Sequence, residues 1–317
     1  MSDQNNWERN VLEKLALSAI QEQRRARHWG ILFKVLTFAY LFIVLFLFMG
    51  WVGSKPDGAL AGGKHTALIE LRGVISADSN ANADNLIGSL QEAFKDKNTA
   101  AVILRINSPG GSPVQAGLVN DEIRRLRGLY PKIPLYVVVE DMCASGGYYI
   151  AAAADKIYVN KASIVGSIGV LMDGFGFTGT MEKLGVERRL ITAGENKGFM
   201  DPFSPLNPKH EEFTRNMLAD VHLQFIDVVR QGRGKRLKET PEMFSGLFWT
   251  GDKAIQMGLA DEYGSVDSVA RDVVKVENIV DFTTHEGLAD RLAKKFGAGV
   301  ASAFPGFGAE VGKVVLR

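Results

Sequence analysis

The sequence predicts an α/β protein built on a largely parallel sheet and preceded by one membrane-spanning helix. Three observations carry this. Short β-rich runs alternate with amphipathic helical stretches from residue 66 onward, the pattern of a sheet flanked by helices. The runs 101–106 and 135–139 are apolar with little interruption, as in strands covered on both faces. Residues 35–54 contain no charged side chain, and about 20 such residues suffice to cross a hydrocarbon core of about 30 Å.

Element by element, 1–34 is a polar segment, 35–54 the anchor and 55–64 a Gly- and Ala-containing linker. Trp29 and Trp51 flank the apolar run, as interfacial aromatics do. Arg24, Arg25, Arg27 and Lys34 lie on the amino-terminal side, against Lys55 and Lys64 on the other. That excess predicts a cytoplasmic amino terminus and an extracytoplasmic body. A cleaved signal peptide is the competing reading, with Ala59-Leu60-Ala61 as a small-residue cleavage site. The long polar lead and the extended apolar run favour an uncleaved anchor.

The globular domain, 65–281, begins with a strand at 66–71. A helix at 80–95 has Leu86, Ile87, Leu90 and Phe94 on one face. Then follow a strand at 101–106, a helix at 114–129, a strand at 135–139, a short helix at 146–154 and a strand at 156–159. A long amphipathic helix covers 209–231, and 246–264 reads as strand, turn, short helix and turn. The tail 282–317 is rich in Gly and Ala and carries one candidate helix at 288–296. Its apolar end, 311–316, motivates the idea of a tail lying in the functional groove.

Charge is balanced, with 37 basic against 36 acidic residues, which argues against nucleic acid as a partner. The single cysteine, Cys143, excludes an internal disulfide. The five histidines are scattered without metal-site spacing, so neither metal nor other cofactor is expected.

Two glycine turns follow buried strands. Asn107-Ser108-Pro109-Gly110-Gly111 can present backbone N–H groups into a cleft, since no Cβ blocks close approach. An oxyanion hole needs such donors about 3 Å from the developing charge. Cys143-Ala144-Ser145-Gly146-Gly147 opens a helix. Ser145 there is either a helix cap or a nucleophile whose own N–H joins the hole. A nucleophilic serine needs a base, and no histidine lies between Ser145 and His210. Lys197, followed by Gly198, Phe199 and Met200, is the alternative base. It must be neutral to act, which calls for burial away from acids such as Glu195. Ser108 is a rival nucleophile without an evident base. Ser167 either bonds nearby backbone or orients the lysine.

The ordered motifs Ser108-Pro-Gly-Gly111, Ala144-Ser-Gly-Gly-Tyr-Tyr149, Ala154-Asp-Lys-Ile157, Val165-Gly-Ser-Ile-Gly-Val170 and the Lys197 segment resemble one known family. Gly232-Arg-Gly234 and the run from Thr250 to Asp261 complete the set. The likeness is to bacterial signal peptide peptidase A, a family of membrane-anchored serine peptidases, and spans roughly 65–270. It implies a crotonase- or Clp-protease-like fold of repeated ββα units. It implies a dyad of nucleophile Ser145 and general base Lys197. Ser167 would position the lysine, and the Gly111 N–H would join that of Ser145 in the oxyanion hole. One copy of the domain matches the short form, which assembles as a ring or dome, so Lys197 can serve a neighbour's Ser145. Hydrophobic peptides, remnant signal peptides above all, are the implied substrates. The implied location is the bacterial cytoplasmic membrane. Three other functions compete: a crotonase-like acyl-CoA enzyme, a Clp-type Ser-His-Asp peptidase, and an inactive membrane scaffold.

Overall fold

The computed structural model describes Leu17 and residues 22–25, 27–45 and 63–284. The chain divides into two units, Met1–Asp57 and Gly58–Arg317. In the first, helix α1 (Glu22–Leu45) is long and apolar enough to cross a membrane, by length and composition. It begins well before the predicted span and includes Arg24, Arg25 and Arg27. Arginine is a good helix former, so loss of apolarity does not end a helix. Residues 46–54 of the expected span, and 55–62 of the linker, lie outside the described residues.

The second unit runs β1 (His65–Arg72), α2 (Ala83–Lys95), β2 (Thr99–Ser108), α3 (Pro113–Leu129), β3 (Leu135–Ala144), α4 (Gly146–Ala151), β4 (Lys156–Val159) and β5 (Ile164–Gly166). There follow α5 (Thr178–Lys183), α6 (Pro208–Arg233), β6 (Phe248–Thr250), α7 (Gly251–Met257), β7 (Glu262–Tyr263), a short turn α8 (Val266–Ser268) and β8 (Ile279–Asp281). The strands form one sheet in the order β6-β5-β3-β2-β1-β8, with β4 on β3 and β7 on β4. Among these strands, β5 with β6 is the antiparallel pair and the rest run parallel. The α/β class read from the alternating pattern is therefore present.

Two helix starts lie one residue earlier than the apolar periodicity predicts. Ser112 caps α3 and Asn207 caps α6, each followed by proline at the first helical position. Proline is tolerated there because that N–H has no intrahelical acceptor. The short helix α4 stops at Ala151, earlier than the expected 154.

Strand β3 positions the site. Its first half pairs with β4 through Tyr136–Val138, and its last residues pair with β5 through Met142–Ala144. The sheet thus branches along β3, and Ala144 lies beside Gly166. Both faces are covered, as continuous apolar strands require. Ile69, Leu104, Ile106 and Val137 face the larger core with α2 and α3. Leu68, Ile103 and Val138 face a smaller one, closed by Tyr158, Val269 and Ala270.

The motifs in 154–157, 232–234 and 250–261 join in a buried clamp. The Arg233 side chain is fully buried. It donates to Gly258 O at 2.8 Å and to both Asp261 carboxylate oxygens, at 2.9 and 2.8 Å. Asp261 also accepts from the Ile157 N–H at 2.7 Å. Asp155 accepts from the Leu135 N–H and pairs with Arg127. These residues tie α6, β3, β4 and the segment after α7 together at the end of the sheet away from Ser145.

Candidate active site

The two glycine turns meet. A Cβ placed on Gly110 would fall 2.6 Å from Ser145 Cβ and 2.7 Å from Gly146 N. Gly110 has φ +101°, and a Cβ on Gly111 would strike Ile75 O at 2.1 Å. No larger residue fits between the turn and its neighbours, which explains the paired glycines. Ser108 is fully buried. Its Oγ donates to Gly73 O at 2.6 Å and accepts from the Gly110 N–H at 3.1 Å. The rival serine thus shapes the turn.

Ser145 is held at φ +50°, a region L-residues enter at a cost of about 1–3 kcal/mol and keep only when the surroundings fix it. Its N–H donates to Gly166 O at 2.8 Å, and its carbonyl accepts from the Tyr149 N–H at 2.9 Å. The cap reading fails, because Ser145 Oγ makes no capping bond to α4 and no other hydrogen bond among the described residues. The expectation that the Ser145 N–H joins the oxyanion hole is corrected too, because β5 takes that donor. The Gly111 and Gly146 N–H groups instead have no acceptor among the described residues. They lie side by side, with Gly111 N 3.3 Å from where a Gly146 Cβ would sit. Gly146 was missed because sequence shows which backbone can approach closely, not which N–H a neighbouring strand consumes. The glycine directly after Ser145 was the available signal.

Ser167 shares the strain of Ser145, with φ +51°. Its N–H donates to Leu247 O at 2.8 Å, while its Oγ is unbonded among the described residues. The next carbonyl, of Ile168, accepts from the Gly246 N–H at 3.1 Å and lies 3.2 Å from His222 Nε2. Gly111, Ser145, Gly146 and Ser167 line one groove of about 850 Å³. Apolar walls come from Val114 and Leu118 on α3 and from Val221 and Phe225 on α6.

Lys197 stands elsewhere. It is exposed, and neither a lysine nor a histidine lines the Ser145 groove. The expected apolar enclosure by Phe199 and Met200 is absent among the described residues. Phe199 packs on His210 and Phe213 instead, and Met200 is exposed. The cause lies in the surrounding segment: no residue from 171 to 207 is buried, and Ile191 is 94% and Leu171 79% exposed.

Comparison with known proteins accords with this architecture. The profile described as Peptidase family S49 matches residues 129–279. A putative protease of Methanocaldococcus jannaschii is 30% identical over 292 residues, covering 86% of this chain and 92% of that protein. A putative signal peptide peptidase SppA of Enterococcus faecium is 29% identical over 234 residues, covering 71% and 67%. A Brucella melitensis protein named Na(+)/H(+) antiporter NhaA is 44% identical over 216 residues. That match takes in 68% of this chain but only 28% of the Brucella protein's length. With its glycine turns, Ser145 and Ser167 in one groove, the chain belongs to peptidase family S49, the signal peptide peptidase A family.

Proposed function

We propose that this chain is a membrane-anchored serine endopeptidase that cuts hydrophobic peptides, remnant signal peptides among them, with Ser145 as nucleophile and Lys197 as general base. The observation that carries the reading is the pair of unengaged N–H groups, Gly111 and Gly146, beside an unbonded Ser145 Oγ in an apolar-walled groove. In this mechanism neutral Lys197 takes the Ser145 proton as Oγ bonds to the peptide carbonyl carbon. The two N–H groups hold the oxyanion. Collapse breaks the C–N bond, and the lysine proton passes to the leaving amine. Water then repeats the sequence on the acyl-enzyme and frees Ser145. Ser167 orients the lysine.

The exposed Lys197 and the unburied arm 171–207 support a homo-oligomer in which one copy's arm brings Lys197 to the next copy's Ser145. Such docking would also cover the arm's apolar side chains. Helix α1 supports single-pass anchoring. The arginines at its start favour a cytoplasmic amino terminus and an extracytoplasmic catalytic unit.

The test uses the full chain in detergent and a hydrophobic fluorogenic peptide. Ser145→Ala and Lys197→Ala are each expected to lose at least about a thousandfold in kcat, as when one member of a catalytic unit is removed. Co-assembling the two dead variants should restore part of the rate, because some sites then combine an intact serine with an intact lysine. Near-normal activity of Lys197→Ala would refute the dyad, and no recovery on mixing would refute sharing between copies.

A further inference from the structure

Among the described residues, the Ser145 groove carries one charged side chain, Asp121. It projects from α3, the helix that also supplies Val114 and Leu118, and is seven positions beyond Val114. That places it about 10 Å from Val114 along the helix axis. The carboxylate forms no ion pair or hydrogen bond among the described residues. The nearby cation is already committed: Arg124 donates to Asn120 Oδ1 at 2.8 Å, Gln231 Oε1 at 3.0 Å and Val228 O at 3.4 Å. Arg125 is paired with Glu122. Tyr149 also lines the groove, and its hydroxyl lies above the ordinary value, through burial first and the Asp121 charge second. The opposite wall offers Val221, Gln224 and Phe225, none of which neutralises a carboxylate.

We infer that Asp121 is a specificity-determining residue that selects peptides carrying a lysine or arginine side chain within the segment bound along the Ser145 groove. The inference rests on the peptidase reading and deepens it. The preferred substrate is an apolar segment with a cation in the bound stretch, rather than an apolar segment alone. An unpaired, exposed acid in an otherwise uncharged groove gains a partner when a cationic peptide binds and none from a neutral one. Discrimination of this kind comes from charge complementarity and weakens with salt.

The experiment compares two hydrophobic fluorogenic peptides that differ only in lysine against norleucine, placed in turn two to four residues on either side of the cut. The full chain and Asp121→Asn are assayed at low and high ionic strength. For the full chain, kcat/KM should favour the lysine peptide about threefold to tenfold at the best position. The preference should lie mostly in KM and shrink at high salt. Asp121→Asn should bring the ratio close to one, and Asp121→Lys should turn it toward a glutamate peptide. In parallel, binding of both peptides is measured by anisotropy on Ser145→Ala with and without Asp121→Asn. Lysine-selective binding that needs Asp121, without hydrolysis by the full chain, would sustain this inference and sink the peptidase reading. Hydrolysis without lysine preference would do the reverse. An Asp121→Asn chain that keeps the preference, or the absence of selectivity in both assays, overturns the inference.

Discussion

Gly110→Ala is a direct probe of how the site is built. The added Cβ would lie 2.6 Å from Ser145 Cβ, 2.7 Å from Gly146 N and 2.8 Å from Ala144 O. Ordinary carbon contacts begin near 3.5 Å, so the two turns must separate by about 1 Å. The backbone at φ +101° adds about 1–3 kcal/mol of strain for any residue with a Cβ. All three obstructing atoms belong to the Ser145 turn, so the separation displaces Ser145 Oγ and the Gly146 N–H from Gly111. Misplacement of about 1 Å at a reacting group costs on the order of a hundredfold in rate. The expected outcome is a kcat about 100-fold lower with KM little changed, slower labelling of Ser145 by a fluorophosphonate, and a Tm lower by about 5–10 °C. Gly88→Ala is the matched control. Gly88 lies inside α2, and a Cβ there meets nothing within 4 Å. It should gain about 0.5–1 kcal/mol with wild-type kinetics. Wild-type kcat in Gly110→Ala would refute the claim that the glycine pair exists to bring the two turns into register.

Two further predictions concern stability and reactivity. Arg233→Met leaves Asp261 without its main partner at a site where only 11% of the Asp261 side chain is exposed, and should cost about 3–5 kcal/mol by urea titration. In the intact chain burial raises the Asp261 pKa, but hydrogen bonds and charge from Arg233, the Ile157 N–H and Arg236 outweigh it and the net shift is downward. Its contribution is therefore complete above the ordinary carboxylate range and is lost as pH falls through the lowered folded value. Arg233→Met should lose that acid-side slope, and an unchanged slope would show that the clamp is not what holds Asp261. Cys143 is fully buried, and burial pushes its thiol upward. It should resist a thiol reagent in the folded chain and react once in denaturant, and rapid reaction in the native state would contradict its place in the core.

What the sequence revealed depended on how local the responsible physics is. Strand and helix positions were legible because burial on both faces leaves an unbroken apolar run, and one-face burial leaves a 3.6-residue period. The helix starts at Pro113 and Pro208 fell just outside that reading: periodicity records the buried face, whereas the cap and proline act on backbone donors. The glycine turns were legible for a related reason. Close backbone approach excludes a Cβ, so Gly110, Gly111 and Gly146 mark where two segments touch. Which donors remain free was not legible. The Ser145 N–H carries the same chemistry as the Gly146 N–H, and only the pairing of β3 with β5 engages one and leaves the other without an acceptor among the described residues. The Arg233–Asp261 clamp was hidden because its two residues lie on separate elements and look like surface charges to a composition scan.

Lys197 shows the deeper form of the same limit. A lysine acts as a base only where its charge is unfavourable, and that condition belongs to its surroundings rather than to its neighbours in sequence. Gly198, Phe199 and Met200 promised an apolar enclosure, yet in the chain by itself Lys197 faces solvent on an arm with no buried residue. Exposing side chains as apolar as Leu171, Phe175 and Ile191 forgoes burial worth about 1.5–3 kcal/mol each. A second copy that covered them would remove water from the arm and, in the same step, bring Lys197 to a groove that has no lysine or histidine among the described residues. Under the proposed assembly, the apolar residues of 171–207 would form the interface that desolvates the lysine. Dilution of the oligomer should accordingly abolish peptide hydrolysis at the concentration where the arm's apolar surface begins to bind a hydrophobic dye. If hydrolysis outlasted dissociation, the base would have to come from within one chain.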